Sequence, residues 1–229
     1  MKKSLILSIV MTLVLVISMS TATFAWYTSS TSATATVNTV TAASGSGNLK
    51  IVLTPDGTEA LTTNTQNAQA YTFAGQLNPV APTADLTAWV NASTTTEGVT
   101  TYTDVTTAKE GYVESGSIVL SDDSGKITAI KITLSATSLS KVVAADCVIV
   151  LVDAEDNIVA NTAFNTVSNT EGEWSDDADA VAANATDAEI TFSSNATLTY
   201  YIWFNGVSMS DADKAGAFTA NFAFEGVEA

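Results

Sequence analysis

The segment ATLTYYIWFN, residues 196–205, places Leu198, Tyr200, Ile202 and Phe204 at every second position. Successive side chains of a β-strand point to opposite faces of a sheet, so this alternation predicts a strand that buries one face. The segment therefore indicates a half-buried sheet, and similar patterns recur along most of the chain.

Further strand patterns follow one another between short polar turns. We predict them at residues 50–54, 117–120, 126–135, 142–152, 158–164 and 217–225. The polar run Ser121–Gly125 predicts a hairpin between two of these strands, and Asp153–Asn157 predicts another turn. One helix pattern stands out, at residues 210–215. Strands at this spacing favour an all-β fold, an antiparallel β-sandwich.

The chain is strongly acidic. Its 229 residues include 24 acidic residues and 8 lysines, with no arginine or histidine, for a net charge of −16. Such a charge repels the phosphate backbone, so we expect no nucleic-acid partner. The lack of histidine removes the commonest general base and zinc ligand, and the single cysteine, Cys147, excludes an internal disulfide. These counts exclude serine–histidine, cysteine–histidine and histidine–metal enzymes.

The N-terminus has the three parts of a secretory signal peptide. Lys2 and Lys3 precede an apolar run at residues 5–19, and small residues follow as far as Ala25. As a helix the run spans roughly 22 Å, short of a bilayer core of roughly 30 Å, which favours cleavage over a retained anchor. We predict a signal helix in residues 1–25 with cleavage after Ala25 or, alternatively, after Ala22. The chain would then meet the membrane only through this segment, before cleavage.

The remainder divides by composition into two parts. Residues 26–48 are rich in serine, threonine and alanine and predict either an N-terminal arm or a first strand. Residues 49–229 hold the clear strand patterns and are predicted to form the β-sandwich domain. Cys147 lies in an apolar run and is predicted to be buried and inert.

Two stretches resemble a known family. The first is the junction TATFAWYTS at residues 21–29, where the signal segment meets an aromatic pair and a Ser/Thr-rich arm. The second is the C-terminal block at residues 198–224, with LTYYIWFNG, MSDAD and FTANFAF. In both, the chain is similar to the exported Firmicutes proteins with an alternate, SipW-type signal peptide, a group that includes TasA and camelysin. The resemblance implies a jelly-roll-like sandwich and a place at the cell surface or in the biofilm matrix. For TasA-like members it also implies fibre assembly through an N-terminal donor strand.

Several turns carry clustered carboxylates, the oxygen ligands that calcium prefers. The candidate calcium ligands are Asp153, Glu155, Asp156, Asp176, Asp177 and Asp179, with further pairs at residues 122–123 and 211–213. The alternative is that these are solvated turns that keep an acidic protein soluble. We therefore predict that the protein has no cofactor, and calcium is the one possible exception.

Aromatic residues offer an alternative function, a carbohydrate-binding or adhesin module of the cell surface. A sugar-stacking platform would be drawn from Trp89, Tyr102, Tyr112, Trp174, Tyr200 and Trp203. Tyr200 and Trp203 fall on opposite faces of their strand, so a core role suits one of the two sets. A glycosidase would need two carboxyl groups in contrasting environments, and the sequence indicates no such pair.

These observations lead us to expect a secreted, non-enzymatic structural or cell-surface protein, without catalytic residues. Its expected partners are further copies of itself or components of the cell envelope. Residues 27–43 are uncharged and free of proline. We expect this segment to add as a strand to the sheet of another copy. The alternative is that residues 33–43 pair within their own domain as its first strand.

Overall fold

The structure, a computed structural model, describes most of the chain from residue 36 onward. The described ranges are 36–44, 49–56, 69–71, 77–94, 100–105, 111–140, 146–176, 181–185, 188–205 and 217–228. The chain divides into two compact units, Met1–Ala33 and Thr34–Ala229, and all described residues belong to the second. The predicted signal segment with Ala25 and the predicted helix at residues 210–215 lie outside the described residues.

The described residues form fifteen β-strands and no α-helix. In chain order the strands are β1 (Thr36–Ser44), β2 (Leu49–Pro55), β3 (Gln69–Tyr71), β4 (Ala81–Pro82), β5 (Trp89–Thr94), β6 (Thr100–Asp104), β7 (Glu114–Asp122), β8 (Ile127–Ser140), β9 (Cys147–Val152), β10 (Ile158–Asn161), β11 (Val167–Thr170), β12 (Glu173–Asp176), β13 (Ala188–Thr191), β14 (Asn195–Phe204) and β15 (Ala217–Glu228). Within these ranges no helix is long and apolar enough to cross a membrane.

Two five-stranded sheets make up most of the described fold. Sheet I has the order β13-β8-β15-β1-β3, and sheet II has the order β10-β9-β14-β7-β2. The pairings in both sheets are antiparallel, except that β1 runs parallel to β15. Sheets of this kind bury one face against each other, and the predicted all-β sandwich is confirmed.

The main core lies between the two sheets. Strand β14 buries Leu198, Tyr200, Ile202 and Phe204 in it, as the alternating sequence predicts. Strands β2, β7, β8 and β9 add aliphatic side chains, and β15 adds rings such as that of Phe222. Burying one large apolar side chain stabilises a fold by about 1.5–3 kcal/mol, so this cluster is the main source of stability.

A third layer covers the other face of sheet II. The three-stranded sheet β4-β5-β6 places Trp89 against Trp203 of β14, with the two ring centroids 5.0 Å apart in an edge-to-face contact. Phe164 meets Trp203 in the same geometry at 5.2 Å. These rings and the valines of β9 belong to a second buried cluster. Because both faces of sheet II are covered here, β9 is buried along its whole length, which accounts for its continuous apolar sequence.

One predicted hairpin is confirmed and another is wrong. Strands β9 and β10 pair antiparallel across the turn at residues 153–157, as predicted. Strands β7 and β8, on either side of Ser121–Gly125, belong to different sheets. The polar turn between them therefore carries the chain from one layer of the sandwich to the other.

The side chain of Asp122 holds this layer-crossing turn in its conformation. This side chain is buried, and the carboxylate accepts hydrogen bonds from the backbone N–H groups of Ser124, Lys126 and Ile127 and from the Ser124 hydroxyl. The bond from the Ser124 hydroxyl, followed by those from the backbone, lowers the pKa of Asp122 to about 2. The carboxylate thus gives a hydrogen-bonding partner to three backbone N–H groups in and next to the turn.

Candidate functional site

The first described strand, β1, lies inside sheet I between β15 and β3. Its register with β15 runs from Thr36 opposite Ala217 to Ser44 opposite Phe224. Three of its residues pair on the other side with β3. Of the two alternatives that the sequence leaves open, an arm or a first strand, residues 36–44 therefore form a strand of their own domain.

Two hydrogen-bonded ladders that differ in direction and length hold β1 in place. The long ladder, with β15, is parallel, and parallel pairing is slightly less stable per residue than antiparallel pairing. The antiparallel ladder, with β3, is short because β3 has only three residues. Strand β15, by contrast, pairs antiparallel with β8 along its whole length. The sheet on the β15 side of β1 is therefore anchored independently of β1.

The position that β1 occupies is uncharged. No residue between Lys3 and Lys50 is charged, and every acidic residue of the chain lies at or after Asp56. The partner segments, residues 217–224 of β15 and residues 69–71 of β3, are uncharged as well. A strand with the sequence of β1 therefore meets no like charge here, although the whole chain carries −16.

Four residues, Gly45-Ser46-Gly47-Asn48, connect β1 in sheet I to β2 in sheet II. Two of the four are glycines, which give the backbone its widest choice of conformations. β1 is the first of the described strands. It can therefore leave the sheet without moving any other described strand along the chain. Its position is chemically suited to strand exchange between copies.

The predicted calcium ligands at residues 153–156 lie in the turn between β9 and β10. The Asp153 carboxylate accepts hydrogen bonds from the backbone N–H groups of Glu155 and Asn157 at 3.0 and 2.9 Å, and from the Asn157 side-chain amide. Burial acts to raise the pKa of Asp153, but these hydrogen bonds outweigh it and leave the pKa below its ordinary value. The side chains of Glu155 and Asp156 are exposed. Asp153 therefore serves to hold the turn.

The remaining calcium candidates are not brought together by the described fold. Asp176 lies in β12, where it accepts a hydrogen bond from the Tyr102 hydroxyl at 2.6 Å. Asp177, Asp179 and residues 211–213 lie outside the described ranges. Among the described residues, no three acidic, histidine or cysteine side chains are grouped closely enough to hold a metal ion. Calcium binding stays a prediction.

The alternative prediction of an aromatic platform for sugar binding is wrong for three of its six residues. Trp89, Tyr200 and Trp203 are each 0% exposed, so their rings cannot stack against a ligand at the surface. Tyr200 belongs to the core between the sheets, and Trp89 and Trp203 meet where the third layer packs on sheet II. Trp174 is half-buried and borders an open cleft of about 390 Å³ whose other lining residues are Thr170, Glu171, Glu173 and Ser175.

Cys147 is buried in β9, as predicted. Burial, with a smaller contribution from the negative charge of Asp146, raises the pKa of its thiol well above the ordinary value. The thiolate is the nucleophilic form of cysteine, and this environment disfavours it.

A pair of carboxyl groups, Asp56 and Glu114, lies near the end of β2 and was not predicted. Burial, and then the negative charge of Asp56, raise the pKa of Glu114 to about 7. Asp56 follows β2, and it accepts a hydrogen bond from the Ser115 hydroxyl and donates its N–H to the Ser115 carbonyl at 2.9 Å. The two acids are distant in sequence and meet only because β2 pairs with β7. A local sequence pattern therefore cannot reveal them.

Comparisons of the chain with protein-family models, with curated proteins and with solved structures find no match. The resemblance to TasA and camelysin stays an expectation that rests on the two stretches quoted for it.

Proposed function

We propose that this chain is an exported, non-enzymatic structural protein of the cell surface whose copies assemble by exchanging strand β1. In the assembly, β1 of one copy occupies the position between β15 and β3 of the next copy. The observation that carries the proposal is the place of β1, which is the first of the described strands, is uncharged, and is held to β15 by a parallel ladder. The sequence pattern of the signal segment and the resemblance to TasA-like proteins support export.

The energetics of such an exchange favour assembly at high concentration. A strand that moves to an identical position in another copy re-forms the ladders that it leaves, so the free energy of pairing changes little. The balance is then decided by concentration and by the freedom of the four-residue connection to β2. A head-to-tail exchange does not close on itself unless its rotation forms a ring, so repetition builds a fibre.

The chemistry of the side chains supports a role without catalysis. The chain has no histidine, and its one thiol is buried in β9 with a raised pKa. The described acidic residues with lowered pKa values, such as Asp122 and Asp153, accept hydrogen bonds within their own turns. These groups contribute to the fold.

A cross-linking experiment tests whether β1 passes between copies. Thr41 and Asn221 are direct partners in the β1–β15 register, so we would make the double variant Thr41→Cys/Asn221→Cys. Cys147 is buried and should not react. A short bis-maleimide reagent applied to concentrated protein is expected to give a ladder of covalent oligomers on a denaturing gel. If β1 stays in its own domain, the same reagent gives one monomer band.

The single variant Thr41→Cys is the matched control, because it keeps the β1 thiol but removes its partner, and it should give no ladder. A second measurement compares residues 26–229 with residues 47–229. Exchange of β1 predicts that the longer chain forms filaments in negative-stain micrographs and that the shorter chain stays folded and monomeric. Unfolding of the shorter chain, or a longer chain that remains monomeric at high concentration, would contradict the proposal.

A further inference from the structure

Two buried polar atoms at the end of β14 have no hydrogen-bonding partner among the described residues. They are the indole Nε1 of Trp203 and the side-chain Oδ1 of Asn205. Trp203 is 0% exposed and Asn205 is 5% exposed, so bulk water does not reach these atoms freely. A buried polar group without a partner loses its hydrogen bonds to water and gains none in return, so folded proteins seldom leave one unpaired.

Both residues adjoin the second buried cluster, because Trp203 belongs to it and Asn205 is bridged to Val80, another of its members. The third layer covers the Trp203 side of sheet II, and Asn205 follows two residues later, just beyond the end of β14. Trp203 is held there by its edge-to-face contacts with Trp89 and Phe164. The backbone at Asn205 is fixed by its N–H, which donates to the Asp146 carbonyl at 3.0 Å, and by a bridge to Val80. Both residues are therefore held in place by contacts of the folded chain.

The chemistry of the two atoms is complementary. An indole N–H is a donor only, and an amide carbonyl oxygen is an acceptor only. A single molecule that accepts from the first and donates to the second satisfies both. Neither group is charged, so an ion has no counter-charge here, and an apolar molecule would leave both atoms unpaired.

We propose that one water molecule is bound beneath the third layer, accepting a hydrogen bond from Trp203 Nε1 and donating one to Asn205 Oδ1. Buried waters of this kind are structural parts of a fold and bridge groups that the protein cannot pair itself. The water joins the end of β14 to the layer that covers it. The inference concerns the described fold alone and stands whether or not β1 is exchanged between copies.

This site can be tested by nuclear magnetic resonance. The protein is produced in cells and labelled with ¹⁵N at its tryptophans. The indole proton of Trp203 is expected to show a direct cross-relaxation peak with water. The sign of this peak should be the one that a long-lived bound water molecule produces. Trp89 is the internal control, because it is equally buried and its Nε1 donates to the Leu86 carbonyl at 3.1 Å. Its indole proton should show no such peak.

The variant Asn205→Leu removes the acceptor and is expected to abolish the water peak of Trp203 while the Trp89 resonance keeps its position. The unchanged protein gives the deciding result even if this variant fails to fold. A Trp203 indole proton as free of water contact as that of Trp89 would overturn the proposal. So would a crystal structure in which Trp203 Nε1 donates to a protein atom.

Discussion

At Gly116, a missing side chain sets the distance between two strands. A Cβ at this position would lie 2.5 Å from the Thr54 carbonyl oxygen, 2.6 Å from the Tyr200 hydroxyl oxygen and 2.7 Å from Pro55 Cα. Two of these are backbone atoms of β2 and cannot rotate away. We expect Gly116→Ala to lower the free energy of unfolding by about 1–3 kcal/mol, the usual cost of overpacking, as measured by urea unfolding.

Ser117→Ala is the matched control for this substitution. Ser117 follows Gly116 on β7 but is only partly buried, on the other face of the strand. Its replacement is expected to change the free energy of unfolding by less than about 0.5 kcal/mol. Equal effects of the two substitutions would argue against a close approach at Gly116.

Glu114 makes stability depend on pH in a direction opposite to that of most acidic residues. Burial and the charge of Asp56 raise its pKa from 4.5 to about 7 in the folded chain. Between these values the folded chain keeps a proton that the unfolded chain has released, so stability falls as the pH rises through this window. At about 1.4 kcal/mol per pKa unit the contribution has an upper bound of about 3.5 kcal/mol, and solvent screening of this partly exposed side chain makes it smaller.

The test for Glu114 compares urea unfolding of the unchanged chain and of Glu114→Gln at about pH 5 and about pH 8. The glutamine variant should lose less stability between these two conditions, because it cannot ionise. A parallel loss in both chains would show that other groups account for the pH dependence. Asp122 does not interfere, because its pKa of about 2 confines its effect to more acidic solution.

At the scale of the strand, the positions of elements follow from the sequence more readily than their partners do. Alternation of apolar residues places β14 correctly, and a continuous apolar run places β9. Both patterns are local consequences of burial on one face or on two.

The partners of the strands depend on contacts that are distant in sequence. The polar turns at residues 121–125 and 153–157 look alike, yet the first connects two sheets and the second closes a hairpin. Asp122 in the first turn is buried and Asp153 in the second is only partly buried, a difference that depends on the packing around each turn. The parallel pairing of β1 with the last strand is likewise invisible in the sequence of β1.

The β11–β12 hairpin offers a test of how the third layer is held. Its Val167 and Trp174 pack against Val90 of β5, and Asp176 accepts a hydrogen bond from the Tyr102 hydroxyl at 2.6 Å. We expect Tyr102→Phe to speed amide hydrogen exchange in residues 167–176 while exchange in β14 stays unchanged, because the lost bond is local.

Tyr112→Phe is the comparison for this change, because Tyr112 is also partly buried but packs with the second cluster rather than with the hairpin. It should leave the exchange of residues 167–176 as it is. Equal exchange in the Tyr102→Phe variant and the unchanged chain would mean that apolar packing alone holds the hairpin.

At the scale of the whole molecule, charge is distributed unevenly along the chain. All 24 acidic residues lie at or after Asp56, whereas residues 4–49 carry no charge. The self-repulsion therefore arises among residues from Asp56 onward, and strand β1 contributes none of it. The order of residues in the sequence is enough to show this separation, with no knowledge of the fold.

Self-repulsion of this size should make stability depend on salt. Charges on a surface are screened beyond about 10 Å at about 0.1 M salt, so added sodium chloride weakens the repulsion between distant carboxylates in the folded chain. We expect the melting temperature to rise with sodium chloride up to a plateau.

Calcium chloride at matched ionic strength separates screening from binding, since a further rise in the melting temperature would indicate a calcium site among the acidic turns. An uncharged osmolyte at equal osmolality is the control for effects on burial. A melting temperature that sodium chloride leaves unchanged would mean that the acidic residues are too far apart, or too well hydrated, for their repulsion to affect folding.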